Sequence, residues 1–192
     1  MVSRETLLAE YFSARKNEAE KYGEILSTWG IERGLIGPKE GDRIWGRHIA
    51  NCIPVTTLIP EGSSVADVGS GAGLPGIVIA LARPDLKVTL IEPLQRRTTF
   101  LEEVVEVLGL PITVLRGKSE AIKGSFDVVT ARAVAPLTRL IPMTWHLVKP
   151  GGALLAIKGE SAADEIIEAG KGKLHLIELP GFEPARVVEV RK

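Results

Sequence analysis

The sequence predicts an α/β protein in which helices cover both faces of a mostly parallel, seven-stranded sheet. First, short apolar strands alternate with helices from residue 63 onward, a pattern typical of a parallel sheet. Second, the strand Ser63–Val68 runs into glycines at positions 69, 71 and 73, which predict a tight loop open to a ligand. Third, the last two strands are joined by a turn too short for a crossover helix, so they should pair antiparallel at one edge.

Length and composition indicate one globular domain over residues 1–192, with 45% hydrophobic and 25% charged residues. Lys plus Arg equals Asp plus Glu at 24 each, so net charge identifies no partner and does not exclude nucleic acid. No apolar run reaches the ~20 residues of a membrane span, and the first ten residues lack a signal peptide's apolar stretch. The single cysteine, Cys52, excludes an internal disulfide and points to a reducing compartment, so we expect a cytoplasmic protein.

A helical extension over residues 1–60 is expected to precede an α/β core over 61–192. Residues 3–29 carry apolar side chains at near-helical spacing, which predicts one or two amphipathic helices. A second helical stretch begins near Ile44 and continues to Leu58, and a Pro-Glu-Gly turn then separates it from the core.

The core elements follow from apolar runs bounded by glycine, proline and polar residues. Strands are predicted at Ser63–Val68, Lys87–Ile91, Ile112–Arg116, Phe126–Ala131, Gly152–Lys158, Leu174–Leu179 and Arg186–Arg191. Helices are predicted at Pro75–Ala82, Leu94–Leu108, Pro136–Leu147 and Ser161–Ala169.

The glycine loop matches two classes of nucleotide ligand. Residues Gly71–Gly76 satisfy G-x-G-x-x-G, and Glu92 follows where a ribose-binding acid is expected, a combination that would suit NAD. However, Asp67 at the strand end would repel a pyrophosphate, and Pro75 removes one of the N–H groups that would hold it. These two residues favour a ligand with a cationic centre, a ribose and no phosphate.

S-adenosylmethionine (SAM) is such a ligand. In this interpretation Asp67 faces its ammonium, the backbone of Gly69, Gly71 and Gly73 packs along its body, and Glu92 accepts both ribose hydroxyls. A plain strand–helix turn without a ligand is the alternative.

Polar residues in three further segments lie near this predicted site. Arg96 and Arg97 begin a helix, where they oppose its dipole; they either face a phosphate backbone or are simply solvated. Ser119 and Glu120 follow the third strand, where an adenine would lie. Arg132 follows the fourth strand at its carboxyl end, so it should point into the ligand crevice unless it forms a structural salt bridge.

Four segments together resemble the RsmG/GidB family of bacterial SAM-dependent methyltransferases of small-subunit ribosomal RNA. They read D-V-G-S-G-A-G-L-P-G, I-E-P-L-Q-R-R, F-D-V-V-T-A-R-A and L-L-A-I-K-G-E, and the resemblance runs from the N-terminal helices to at least Glu165. It implies a Rossmann-like, class I methyltransferase fold and methylation at guanine N7 of one nucleotide in 16S rRNA, with S-adenosylhomocysteine as the product.

The resemblance also implies roles for individual residues. Its SAM contacts are carried over to Gly69, Leu74, Ser119, Glu120 and Arg132. Its RNA-facing or active-site surface would hold Arg47, His48, Arg96, Arg97 and Lys158, and we assign Arg132 and Lys158 to catalysis. The family often has Asn-Leu-Thr where this chain has Gly34-Leu35-Ile36, so a polar contact from that loop is not expected here, while the SAM site is unaffected.

The chemistry is compatible with N7. Guanine N7 has a free lone pair and loses no proton, so no general base is needed. Cytosine C5 would need a thiolate, and Cys52 is the only thiol; an exocyclic amine would favour an (N/D)-P-P-(Y/F) clamp, which Ala131–Val134 does not provide. No Cys/His spacing predicts a metal. We expect a monomer that acts on 16S rRNA or the small subunit; a small-molecule methyltransferase, an NAD oxidoreductase and an inactive RNA-binding module remain alternatives.

Overall fold

Seven strands form one sheet in the computed structural model, which describes residues 3–192. In chain order they are β1 (Ser64–Val68), β2 (Lys87–Glu92), β3 (Thr113–Arg116), β4 (Phe126–Arg132), β5 (Val148–Lys158), β6 (Lys173–Ile177) and β7 (Ala185–Arg191). They lie in the order β3-β2-β1-β4-β5-β7-β6. Strands β1 to β5 are parallel, and β7 runs antiparallel to both β5 and β6. The predicted α/β class is confirmed, and so is the antiparallel pair that the last two strands form at one edge of the sheet.

The helices are α1 (Arg4–Tyr11), α2 (Lys16–Ser27), α3 (Trp29–Glu32), α4 (Gly76–Ala82), α5 (Gln95–Leu108), α6 (Leu137–Thr144) and α7 (Ala162–Ala169). Helices α1, α2, α4 and α5 contribute to the apolar cluster on one face of the sheet, and α6 and α7 to the cluster on the other. The N-terminal extension therefore shares a core with the sheet: Leu7, Tyr22 and Ile53 belong to the same cluster as Val65 and Leu90.

Two boundaries differ from the sequence prediction by more than two residues. Strand β5 begins at Val148 rather than Gly152, because Val148 pairs with Phe126 before a register shift leads to the Val128–Ala153 pair. Helix α6 ends at Thr144 rather than Leu147, because the chain tightens into a 3-10 turn over Trp145–Leu147 before entering β5.

The stretch from Ile44 to Leu58 is helical but not a regular α-helix. It is a π-helical turn over Ile44–Ile49 followed by 3-10 turns over Ala50–Cys52 and Pro54–Leu58. A π-helical turn is rare and is found frequently at functional sites. The carbonyl of His48 accepts hydrogen bonds from the Arg132 guanidinium and from the Cys52 thiol.

No helix within residues 3–192 combines the length and the hydropathy that crossing a membrane would require.

Candidate functional site

The glycine loop leaves the carboxyl end of β1 and enters α4. Gly69, Gly71 and Gly73 have φ of 70°, 58° and 97°, a left-handed backbone that other residues rarely adopt. The amide of Gly69 donates to the carbonyl of Ile91 at 2.8 Å, and the amide of Gly73 donates to that of Ser70 at 2.7 Å. The predicted loop is therefore present, and its shape depends on glycine at these positions.

Asp67 holds the far end of this loop. Its Oδ2 accepts a hydrogen bond from the Gly76 amide at 3.0 Å, at the start of α4, and its Oδ1 accepts one from the Thr130 hydroxyl at 3.2 Å. The side chain is fully buried, and burial raises the pKa of this carboxyl to about 6. The carboxylate faces the helix start, so its direct contact with a ligand's ammonium stays a prediction.

Glu92 holds the near end of the loop, from the end of β2. Its Oε2 accepts from the Gly71 amide at 3.0 Å and its Oε1 from the Leu94 amide at 3.1 Å. The Arg97 guanidinium lies 3.8 Å from the same carboxylate. Each carboxylate oxygen can accept a second hydrogen bond, so Glu92 keeps acceptor capacity for ribose hydroxyls.

Tyr22 is a loop contact that the sequence analysis missed. Its hydroxyl donates to the carbonyl of Ala72 at 2.9 Å, and the side chain is fully buried. The sequence shows Tyr22 only as one apolar position of an amphipathic helix. A buried tyrosine usually needs a partner for its hydroxyl, which was the one available signal.

The loop borders a cavity of about 470 Å³, here called the nucleoside cavity. It is lined by Val68, Gly69, Ile91, Glu92, Pro93, Leu94, Arg97, Gly117, Lys118, Ser119, Glu120, Ala133, Val134 and Met143. Five predicted site residues thus come together: Gly69, Glu92, Arg97, Ser119 and Glu120. The lining does not include Gly71, Gly73 or Leu74; Leu74 is only 6% exposed and packs in the core.

Beside it lies a second cavity of about 710 Å³, here called the acceptor cavity. It is lined by Arg47, His48, Asn51, Arg132, Ala133, Val134, Ala135, Pro136, Ile157, Lys158, Gly159 and Glu165. The guanidinium of Arg132 donates to the His48 carbonyl at 3.3 Å, and within residues 3–192 it forms no ion pair with a carboxylate. The structural salt bridge considered as an alternative is therefore not formed, and the cation faces the cavity.

The other predicted basic residues of this cavity already have acidic partners. Glu40, which the sequence analysis did not single out, contacts Nε2 of His48 at 3.0 Å and Nη1 of Arg47 at 3.1 Å. Burial lowers the pKa of His48, and its hydrogen bond with Glu40 acts in the opposite direction. These two residues line the cavity as members of an ion-pair cluster.

Lys158 is likewise held in place. Its ammonium donates to the Ala135 carbonyl at 2.7 Å and pairs with Oε2 of Glu165 at 2.7 Å. Glu165 also accepts from the Leu137 amide at 2.8 Å, at the start of α6. Lys158 and Glu165 therefore fix the segment between β4 and α6, and the catalytic role assigned to Lys158 stays a prediction.

Ala133 and Val134 line both cavities, so the two spaces meet at this segment. Ala133 has φ of 56°, the one non-glycine residue in the left-handed region among residues 3–192. Val134 packs directly over Gly69, because a Cβ atom at Gly69 would lie 2.7 Å from Cγ2 of Val134. A ligand along the glycine loop and an acceptor beside Arg132 would therefore meet next to Ala133 and Val134.

Two remaining residues lie away from both cavities. Arg96 is exposed on α5 and lines neither of them. Cys52 is buried, its thiol donates to the His48 carbonyl, and burial raises its pKa to about 11, so it is poorly suited to act as a thiolate. Within the described residues no group of three or more His, Cys, Asp or Glu side chains is arranged to hold a metal.

Comparison with known proteins gives a match to one family model, described as GidB, rRNA small subunit methyltransferase G, over residues 15–179. Two relatives bear the name ribosomal RNA small subunit methyltransferase G. The one from Nocardioides sp. is 55% identical over 163 residues, 83% of this chain and 65% of its own length. The one from Acidothermus cellulolyticus is 53% identical over 186 residues, 96% of this chain and 82% of its own length. The chain thus spans about two thirds of the length of the first relative.

Solved structures agree on the fold. One described as PigF with SAH has a TM-score of 0.62 at 15% identity, covering 98% of this chain and 71% of its own. A ribosomal protein L11 methylase from Lactobacillus delbrueckii has a TM-score of 0.58 at 18% identity, covering 74% of this chain and 77% of its own. At these identities the likeness concerns the fold alone.

Proposed function

The chain belongs to the rRNA small subunit methyltransferase G (RsmG/GidB) family, and on this premise we propose that it transfers a methyl group from SAM to N7 of a guanosine in 16S rRNA. The substrate is the free rRNA or the small ribosomal subunit, and S-adenosylhomocysteine is the second product. The reaction takes place in the cytoplasm, and a monomer carries it out.

The observation that carries the proposal is the meeting of two cavities beside the glycine loop. The nucleoside cavity offers the carboxylate of Glu92 and the backbone of Gly69, and the acceptor cavity offers the guanidinium of Arg132, which has no carboxylate partner within residues 3–192. A donor in the first and a base in the second would bring the methyl group and its acceptor together at Ala133 and Val134.

The residues present suit SAM. Glu92 retains lone pairs for the ribose hydroxyls, and Ser119 and Glu120 lie at the end of the cavity that is bounded by the segment after β3. Gly69 and Val134, which packs over it, line the same cavity, and the left-handed backbone of Gly69 carries the loop past it. When bound, SAM supplies the methyl group on its sulfonium.

The protein's part in the reaction is to position the methyl donor and the acceptor base and to exclude water from the site. Guanine N7 loses no proton when it is methylated, so the acceptor cavity needs no general base, and His48 is already bonded to Glu40. The Arg132 guanidinium is suited to O6 of guanine or to a phosphate, contacts that leave the N7 lone pair free to attack the methyl group. Holding the base against the methyl group in the right orientation would supply most of the acceleration.

Two experiments test this function. Calorimetry with SAM and with NADH should show binding of SAM alone; binding of NADH without SAM would remove the proposal. Mass-spectrometric mapping of rRNA from cells with and without the gene should then show one 7-methylguanine in 16S rRNA that depends on the protein. Gene-dependent methylation of adenine or cytosine instead would contradict the N7 assignment.

A further inference from the structure

We infer that Tyr22 is a positioning residue of the methyl-donor site: its hydroxyl holds the glycine loop by the Ala72 carbonyl and so fixes the loop that borders the nucleoside cavity. The inference rests on the proposed use of SAM. It assigns the N-terminal helix α2 a part in donor binding, although α2 lies outside the α/β core that contains the loop.

The geometry singles out this hydroxyl. It lies 2.9 Å from the Ala72 carbonyl oxygen, and a Cβ atom at Gly73 would be 3.0 Å from it, so it touches two consecutive loop residues. Asp67 and Glu92 hold the loop by amides, at Gly76 and Gly71. Within residues 3–192, Tyr22 is the one side chain that donates to a carbonyl of residues 69–75.

The loop needs such an external partner. Three glycines within five residues leave the backbone with many accessible conformations, so its own sequence does not select one. If only a fraction of the molecules has the loop in its binding conformation, the apparent affinity for the ligand is reduced by that fraction. Burial raises the pKa of the Tyr22 phenol well above its ordinary value, so the hydroxyl stays a donor at every working pH.

Helix α2 also reaches the acceptor side. At Gly23, the next residue, a Cβ atom would lie 2.6 Å from Cζ2 of Trp45, so the ring packs directly on the helix backbone. Trp45 belongs to the π-helical turn that carries Arg47 and His48 and provides the carbonyl for Arg132. Two consecutive residues of one helix thus contact the donor loop and the segment that lines the acceptor cavity.

The test removes only the hydroxyl. Tyr22→Phe keeps the ring in the core, and Tyr11→Phe is the matched control, because Tyr11 packs edge-on against Phe182 and its hydroxyl makes no hydrogen bond within residues 3–192. Calorimetry should show the Kd for SAM rising about 3- to 10-fold in Tyr22→Phe, the range expected for one lost hydrogen bond. At saturating SAM, kcat should stay within about twofold of wild type, and Tyr11→Phe should leave both values unchanged.

The outcomes separate the inference from the function on which it rests. If the wild type binds no SAM, the proposed function fails. If the wild type binds SAM and Tyr22→Phe binds it equally well, the Tyr22 inference fails, whatever the melting temperature of the variant. A merely structural role would lower the melting temperature and leave the Kd for SAM unmoved.

Hydrogen exchange keeps the inference testable even if Tyr22→Phe does not fold. In the ligand-free wild type, amides of residues 72–74 should exchange more slowly than those of the exposed segment 170–173. Equal, fast exchange of both segments would show that nothing holds the loop before the ligand arrives, and would overturn the inference. In a folded Tyr22→Phe, exchange should rise in the loop more than in β1.

Discussion

Replacing Asp67 by asparagine should remove a pH dependence of folding that the buried carboxyl creates. In the folded protein burial raises the pKa of Asp67 from 3.8 to about 6. An acid with a raised pKa binds its proton more tightly when the chain is folded. The contribution of Asp67 to the free energy of unfolding is therefore most favourable below pH 4. It is lost as the pH rises to about 6, and above that pH it no longer changes.

The size of the effect follows from the two pKa values. Holding a charged Asp67 at neutral pH costs roughly 3 kcal/mol of folding free energy relative to its protonated form. Asparagine has the shape of the protonated acid: its oxygen can accept from the Gly76 amide, and its nitrogen can donate to the Thr130 hydroxyl. The variant should therefore match the wild type near pH 4 and exceed its stability by up to roughly 3 kcal/mol at pH 7.

Urea denaturation followed by tryptophan fluorescence at a series of pH values between 4 and 8 measures this difference. Asp127→Asn is the control of opposite sign, because hydrogen bonds from Ser64 lower the Asp127 pKa to about 2. That variant should be less stable than wild type at neutral pH and approach it as the pH falls below 4. If the difference between Asp67→Asn and wild type stays constant from pH 4 to pH 7, Asp67 has no raised pKa and the reasoning is wrong.

Three further predictions concern the acceptor side and the loop. Arg132→Lys keeps the charge but loses the fork, so kcat/KM for rRNA should fall by about 10- to 100-fold while urea denaturation shows stability within about 1 kcal/mol of wild type; full activity would remove Arg132 from the site. Lys158→Met leaves the Glu165 carboxylate without its cationic partner and should lower the free energy of unfolding by roughly 2–4 kcal/mol in urea denaturation, whereas a further Glu165→Gln change should restore part of that stability. Gly76→Ala places a Cβ 2.8 Å from a carboxylate oxygen and should lower stability by about 3 kcal/mol, while Gly159→Ala, with open space around it, should be nearly neutral by the same assay.

Features that depend on the local amino-acid sequence could be predicted. Apolar runs separated by turn residues predicted the strand–helix alternation, and the position at the carboxyl end of the fourth strand placed Arg132 in the crevice. Glu92 and Gly69 lie where the loop pattern put them, because both follow directly from strand ends in a parallel sheet.

Features that depend on contacts between distant segments were not predictable. The Tyr22 hydroxyl and the Ala72 carbonyl are 50 positions apart, and only the packing of α2 on the sheet brings them together. Glu40 and Glu165 are single acidic residues on the surface of predicted helices or loops, and nothing local marks them as partners of His48 and Lys158.

Asp67 illustrates the limit in another way. The sequence places a carboxylate at the end of a strand before a glycine loop, a position from which it can face a ligand or the following helix. The position of the start of α4 decides between the two, because the carboxylate accepts a hydrogen bond from the Gly76 amide there. The placement of a helix depends on tertiary packing. The sequence therefore predicted the position of Asp67 but not the direction in which its carboxylate points.

The left-handed backbone at Ala133 restricts which amino acids can occupy this position. An alanine with positive φ is strained by about 1 kcal/mol or more, and β-branched or bulky side chains tolerate that conformation even less. A saturation library at this position, selected for methylation, should therefore return alanine, glycine and asparagine and little else. In Ala133→Gly the backbone strain is relieved, so stability should rise. The segment between the nucleoside and acceptor cavities should also become more mobile, so turnover should fall in the same variant.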